Sequence, residues 1–260
     1  KGIVFLLEKL RRKVVRNYKI PTLTIAGSDS SGGAGIQADL KTFSAIGTYG
    51  MSVITAITAQ NTEGVFDVEE LSSKIIKEQI KAVCEDIMPN SIKIGMVSSP
   101  EIILDIAESL KKYPCKYIVV DPVMISKSGY SLLRPEAKEN LIKYLIPMAY
   151  IVTPNIPEAE EISNMKIETV EDMKKAGKEI LKLGPKYVLM KGGHLEGDAV
   201  DILIGEDTFE IYKSERIDRK NTHGTGCTIS SAITSHLALG YDIKEAVKLS
   251  KEYITEAIRH

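Results

Sequence analysis

The residues able to do chemistry in this 260-residue chain gather in short polar stretches between apolar runs. One of these, "NTHGTGCTISSA" at 221–232, sets Gly224, Thr225 and Gly226 directly ahead of Cys227 and a long apolar helix pattern. A glycine pair lets successive backbone N–H groups turn toward one oxygen. A helix starting there adds about half a positive charge at its N-terminus. Together they make a cradle for a migrating phosphoryl group. A thiol at a helix start is expected to have a lowered pKa and to accept a proton as thiolate. The plain alternative is an ordinary N-cap by Thr222 or Thr225, which needs one hydroxyl and no glycine pair. His223 makes a Cys–His hydrolase conceivable, but the tight glycine turn between His223 and Cys227 works against an aligned hydrogen bond.

A second glycine-rich stretch, "GSDSSGGAGIQADL" at 27–40, contains Gly33-Ala34-Gly35-Ile36-Gln37-Ala38. This matches the dinucleotide fingerprint G-x-G-x-x-G/A, with Glu63 as the acidic residue closing a later strand. The match is weak, because Gly27 to Gly32 already separate the strand end from the first glycine. No Gly-Lys-Ser/Thr occurs, so a Walker A loop is absent. A substrate-covering loop is the preferred reading.

These stretches must be held by elements. "LTIAGS" (23–28), "SVITAITAQ" (52–60), "IKIGMV" (92–97), "YIVVDPVM" (117–124), "YIVTPN" (150–155) and "KYVLMKGG" (186–193) are branched, apolar and bounded by Gly, Pro, Asp or Asn. They read as buried strands. Helical stripes lie between several of them, such as Ile75, Ile76, Ile80, Val83, Cys84 and Ile87. The alternation predicts an α/β fold with a mostly parallel sheet and helices on both faces. "AVDILIG" and "TFEIYKSERI" predict a hairpin at one edge, and two helices, about 225–239 and 242–259, close the chain. In such sheets ligands bind beyond the carboxyl ends of the strands. Asp29, Gln60, Asn61, Met96, Ser98, Asp121, Asn155 and Lys191 all fall there.

No apolar run nears the roughly 20 residues that span a bilayer, and a net charge of −1 gives no global pull toward nucleic acid. Three cysteines without a close pair or metal spacing fit a reducing cytoplasm. Cys84 lies on an apolar stripe and reads as core, and Cys115 as incidental. His194, His236 and His260 form no metal constellation. Residues 1–18 read as a basic extension, since residues 1–19 hold seven Lys or Arg against Glu8. Residues 19–260 read as one domain, with no linker.

Taken in order, "LTIAGSDSSGGAGIQADLKTFSAIGTYGMSVITAITAQNT", "KIGMV", "DPVM", "TPNIPEAE", "LMKGGH" and "NTHGTGCT" resemble the hydroxymethylpyrimidine/phosphomethylpyrimidine kinases of thiamine biosynthesis, in the ribokinase superfamily. The resemblance runs from about Leu23 to about Ile254. It implies a ribokinase-like three-layer α/β/α sandwich, and ATP-dependent phosphorylation of a pyrimidine alcohol and then of its monophosphate. It also implies a homodimer, with neither nucleic acid nor membrane as partner. Residue by residue, it implies Cys227 as the base and Gly224, Thr225 and Gly226 as the cradle. Gln60, Asp39, Gly27, Ala34, Met96 and Val123 fall on the pyrimidine side. Asp121, Asn155, Lys191 and Thr222 fall near the ATP phosphates, and Asn155 and Glu158 match an N-x-x-E that arranges Mg2+. Members usually carry a further glycine-rich tail beyond the point where this sequence stops. Pyridoxal kinase, a close relative, stays open as an alternative, and a Rossmann-type oxidoreductase as a remote one. Gln60 bears on the first choice. Its carboxamide fork complements the ring nitrogen and adjacent amine of an aminopyrimidine, an edge that pyridoxal lacks.

Overall fold

The branched apolar runs pair into a single sheet because each buries both faces and must satisfy its backbone polar groups inside the protein. The computed structural model describes residues 20–126, 129–192, 199–214 and 224–259. The strands are β1 (Pro21–Asp29), β2 (Tyr49–Gln60), β3 (Val65–Glu70), β4 (Ser91–Ile94), β5 (Tyr117–Val120), β6 (Ile151–Val152), β7 (Tyr187–Lys191), β8 (Ala199–Gly205) and β9 (Thr208–Ser214). The helices are α1 (Gly35–Ile46), α2 (Ser73–Asp86), α3 (Pro100–Lys112), the short α4 (Ala137–Asn140), α5 (Ile156–Ser163), α6 (Val170–Leu181), α7 (Thr225–Ala238) and α8 (Ile243–Arg259).

The strand order is β3-β2-β1-β4-β5-β6-β7-β8-β9. Strands β2 through β7 run parallel in that order, and β3, β8 and the β8–β9 hairpin pair antiparallel at the two edges. Side chains alternate across the sheet, as a period of two demands. Ile118, Val120, Val152, Val188 and Met190 enter one core, under α2, α3, α5 and α6. Val119, Ile151, Leu189 and Leu203 enter the other, under α7 and α8. The result is the three-layer sandwich with a mostly parallel sheet that the resemblance implied.

Three boundaries differ from the sequence reading. The chain leaves the sheet at Ile94, Val120 and Val152, so Met96, Asp121 and Asn155 lie in loops beyond the strands rather than within them. Glu63 sits in the turn between β2 and β3, not at a strand end. Strand β3 itself was not foreseen: none of its side chains is buried, so it carries no apolar signature and exists through pairing with β2. The basic stretch at 1–18, Thr222, His223, His194 and His260 lie outside the described residues. Among the described residues no helix is long and apolar enough to cross a membrane.

Candidate active site

The carboxyl ends of β1, β4, β5, β6 and β7 point the same way, and the N-termini of α1, α5 and α7 meet them. Helix α7 begins at Thr225 behind an N-cap that is Gly224, not a threonine, and no described side chain caps it. That corrects the plain-cap reading. Gly224 has φ +78, and a Cβ there would lie 1.8 Å from the carbonyl oxygen of Gly33. Only glycine meets both demands. The cradle is thus pressed onto the second glycine-rich loop.

Asp29 shapes that second loop. Its Oδ1 accepts from the N–H and hydroxyl of Ser31, both at 2.8 Å, and its Oδ2 accepts from the N–H of Gly33 at 3.1 Å and of Ala34 at 2.8 Å. The Ala34 amide is therefore engaged within the loop rather than offered to a ligand. Helix α1 follows, also without a side-chain cap. Gly35, at φ +55, approaches so closely that a Cβ would lie 2.4 Å from the Gly27 carbonyl oxygen. Gly27 itself faces an irregularity where β1 and β2 slip register between Ala26 and Ser28. The Met96 sulfur lies 2.9 Å from where its Cβ would stand. The structure thus brings Gly27 and Met96 together, with Gly35, next to Ala34, against the Gly27 carbonyl, while Val123 is half-buried after β5.

Cys227 occupies the first turn of α7, facing the first turn of α1. The Gly35 N–H favours its thiolate, and so does the Lys93 ammonium. Burial outweighs both: Cys227 keeps part of its surface open, but protein atoms crowd the sulfur, and desolvation pushes the pKa up, with Asp39 and Asp121 adding to the rise. The lowered pKa expected from the helix start is corrected. A helix N-terminus stabilises a thiolate only by a fraction of a charge, which close packing exceeds.

Asp39 does not face a ligand. It is 0% exposed, and both oxygens are taken. Lys93 Nζ donates to Oδ1 at 3.0 Å and to Oδ2 at 2.9 Å, Thr24 Oγ1 donates to Oδ2 at 2.6 Å, and Ser231 Oγ donates to Oδ1 at 2.5 Å. That enclosure does not fit the substrate contact that the resemblance implied for Asp39. Lys93 and Ser231 went unread in the sequence, although a lone lysine inside "IKIGMV" was a signal for a buried ion pair.

The other half of the site is acidic and basic at once. Lys191 Nζ donates to Asp121 Oδ1 at 2.9 Å, with Thr153 Oγ1 donating to the same oxygen at 3.0 Å. The same Nζ lies 3.5 Å from where a Cβ on Gly226 would stand, so the ammonium overhangs the cradle. Asn155 caps α5 in a reciprocal box: its Oδ1 accepts the Glu158 N–H at 2.9 Å, and Glu158 Oε2 accepts the Asn155 N–H at 2.9 Å. Glu158 is 6% exposed. Burial pushes its carboxyl up to about 7, against the downward pull of Lys191, while Asp121 raises it further. Gln60, half-buried at the end of β2, accepts from Thr58 Oγ1 at 3.2 Å through its Oε1, and its backbone carbonyl accepts from Ser30 at 2.8 Å.

This arrangement can hold an anion at the start of α7, which no described side chain caps, put a cation over it, and place a thiol beside it. The phosphomethylpyrimidine kinase family matches residues 29–260. The chain belongs to that family. It is therefore a kinase of thiamine biosynthesis. It is 50% identical over 238 residues to the thiamine biosynthesis bifunctional protein ThiED of Geobacter sulfurreducens, covering 91% of this chain and 49% of that protein. The chain thus spans about half the length of that relative. The crystal structure of phosphomethylpyrimidine kinase from Clostridium difficile 630 is 76% identical, with TM-score 0.85, covering 92% of this chain and 100% of that one. An ADP complex of Bacillus subtilis pyridoxal kinase is 42% identical, with TM-score 0.85, covering 91% of each chain.

Proposed function

We propose that this chain phosphorylates the hydroxymethyl group of an aminopyrimidine alcohol with ATP, and then phosphorylates the monophosphate product at the same site. The observation that carries the reading is the cradle: the start of α7, which no described side chain caps, holds Cys227 against the first turn of α1, with Lys191 over Gly226. The hydroxymethyl O–H gives its proton to the Cys227 sulfur while its oxygen attacks the terminal phosphoryl group of ATP, and the bond to ADP breaks. Phosphoryl transfer asks mainly for positioning and charge neutralisation. The first-turn amides of α7 and the Lys191 ammonium meet the charge on the phosphoryl oxygens. Gln60 reads the aminopyrimidine edge, with Gly27, Met96 and Val123 around the ring.

Among the described residues no group of three or more His, Cys, Asp or Glu clusters as an all-protein metal cage. Mg2+ does not need one, since it commonly uses one or two carboxylates with phosphates and water. Asp121 and Glu158 feel each other with Lys191 as their shared cation, and this donor set fits. Glu158, with Asn155 orienting it through the cap, would hold Mg2+, which when bound neutralises phosphate charge. The homodimer and a cytoplasmic setting are part of the same proposal. Exposed Phe66 on the edge strand β3, 67% accessible, and Ile57 on the neighbouring β2 support an apolar contact between copies.

Pyridoxal phosphorylation is a second reading, favoured by the likeness to pyridoxal kinases. ATP turnover with the pyrimidine alcohol, its monophosphate and pyridoxal separates the two. The proposal expects both pyrimidines to be used in preference. Faster kcat/KM on pyridoxal would overturn it.

A further inference from the structure

Helices α1 and α7 meet along a line of paired residues. Gly33 abuts Gly224, the Gly35 N–H faces Cys227, Asp39 accepts from Ser231, and Thr48 Oγ1 lies 3.0 Å from Ser235 Oγ. Gly35 and Asp39 are one turn apart on α1, as Cys227 and Ser231 are on α7. The two facing pairs form a rectangle with the thiol at one corner and a carboxylate at the opposite one. Lys93 enters from β4, fully buried, and both its bonds go to Asp39. Its Nζ also packs against Gly95, where a Cβ would lie 2.6 Å from it.

A buried lysine is costly to maintain for packing alone, because an apolar side chain fills the same volume without the desolvation. Its bonds to Asp39 hold the ammonium one turn of α1 from the Gly35–Cys227 contact, which gives it a task. We infer that Lys93, locked against Asp39 beneath the junction of the two helix starts, is the positioning residue that makes the Cys227 thiolate accessible. This rests on the reading of Cys227 as proton acceptor. The charges facing Cys227 are Lys93 from β4, Asp39 from α1, Asp121 beyond β5 and Lys191 from β7. Lys93 is the strongest influence opposing burial, ahead of the opposing push of Asp39. The Asp39 bonds keep the ammonium charged despite its burial. Asp39 therefore acts twice: it fixes the cation and partly offsets it.

The test reads the thiol directly. The rate of iodoacetamide modification is followed against pH on the Cys227 peptide by mass spectrometry, which separates it from Cys84 and Cys115. Lys93→Met should move the Cys227 profile upward by about one pH unit, the scale of losing a nearby opposite charge. Lys93→Arg should keep the wild-type profile. If Lys93→Met does not fold, Lys93→Met with Asp39→Asn removes both charges together. That profile should also move upward, though by less. A merely structural lysine would give a different pattern, since loosened packing exposes the thiol and moves the profile downward. An unmoved or lowered profile in the folded Met variant, or a Lys93→Arg profile displaced as far as that of Lys93→Met, overturns the inference. Turnover by Cys227→Ser tests the proton-acceptor reading separately: full activity there sinks that reading whatever the alkylation profile shows.

Discussion

Two lysine–aspartate pairs flank the same cradle and differ in one respect. In the Lys93–Asp39 pair both side chains are 0% exposed, and Asp39 is also bonded by Thr24 and Ser231. In the Lys191–Asp121 pair the lysine keeps 15% of its surface and the aspartate 2%. A closed pair can hold a geometry and a field but cannot touch a ligand. An open pair can lend its cation to an incoming phosphate while the carboxylate behind keeps it aimed. One ion-pair chemistry thus serves support on one side of the cradle and contact on the other, and burial separates the two roles.

The largest effect that sharpens this contrast is on stability. Lys93→Met leaves Asp39 as an uncompensated buried charge and should cost about 3–5 kcal/mol, read as a shifted denaturant midpoint. Loss below about 1 kcal/mol would mean that the pair is not the closed support described. Lys191→Met should act mainly on turnover. It removes a preorganised donor from the transferring group, so kcat should fall about 10²–10³-fold, with the pyrimidine Kd little changed. Unchanged kcat would erase the distinction between the pairs.

Gln60→Glu probes the pyrimidine corner, where neither lysine reaches. An acceptor replaces a donor at the aminopyrimidine edge, and kcat/KM for the pyrimidine alcohol should fall by about 1–3 kcal/mol, the cost of an unpaired buried polar group. Any pyridoxal phosphorylation should fall much less. Equal losses would show that Gln60 does not read that edge. The smallest expected effect is that of Glu158→Gln. The amide carbonyl can still accept the Asn155 N–H, so the helix cap and the melting temperature should persist. The Mg2+ concentration for half-maximal rate should rise. An unchanged Mg2+ titration would leave Glu158 as a cap alone, worth about 0.3–1 kcal/mol at the helix start.

The open side of the site was legible in the sequence because its residues follow strand ends and helix starts, where local rules hold. Asp121, Lys191, the Asn155–Glu158 box and the Gly224–Gly226 turn are all of this kind. The closed side was not, since Asp39 and Lys93 lie 54 residues apart and each looks ordinary alone. Lys93 lies inside a run read as an apolar strand and Ser231 among the small residues of a helix, and neither was singled out. Strand β3 stayed hidden for a related reason: its existence depends on a partner and not on an apolar pattern. The charge state of Cys227 misled in the other direction. The helix-start rule was sound, but burial is a tertiary quantity that the sequence does not display.

The central claim is that a partly open but closely packed thiol, raised in pKa by desolvation and drawn back by Lys93, takes the proton. The direct measurement is kcat against pH for the wild-type enzyme beside Cys227→Asp, at saturating substrates. The thiolate is the working form and its pKa lies above the ordinary cysteine value. Wild-type kcat should therefore climb through neutral pH and keep climbing into the alkaline range. A carboxylate is already ionised there, so the Asp variant should be slower and flat. Two profiles of the same shape, or a wild-type plateau reached below neutral pH, would contradict the account.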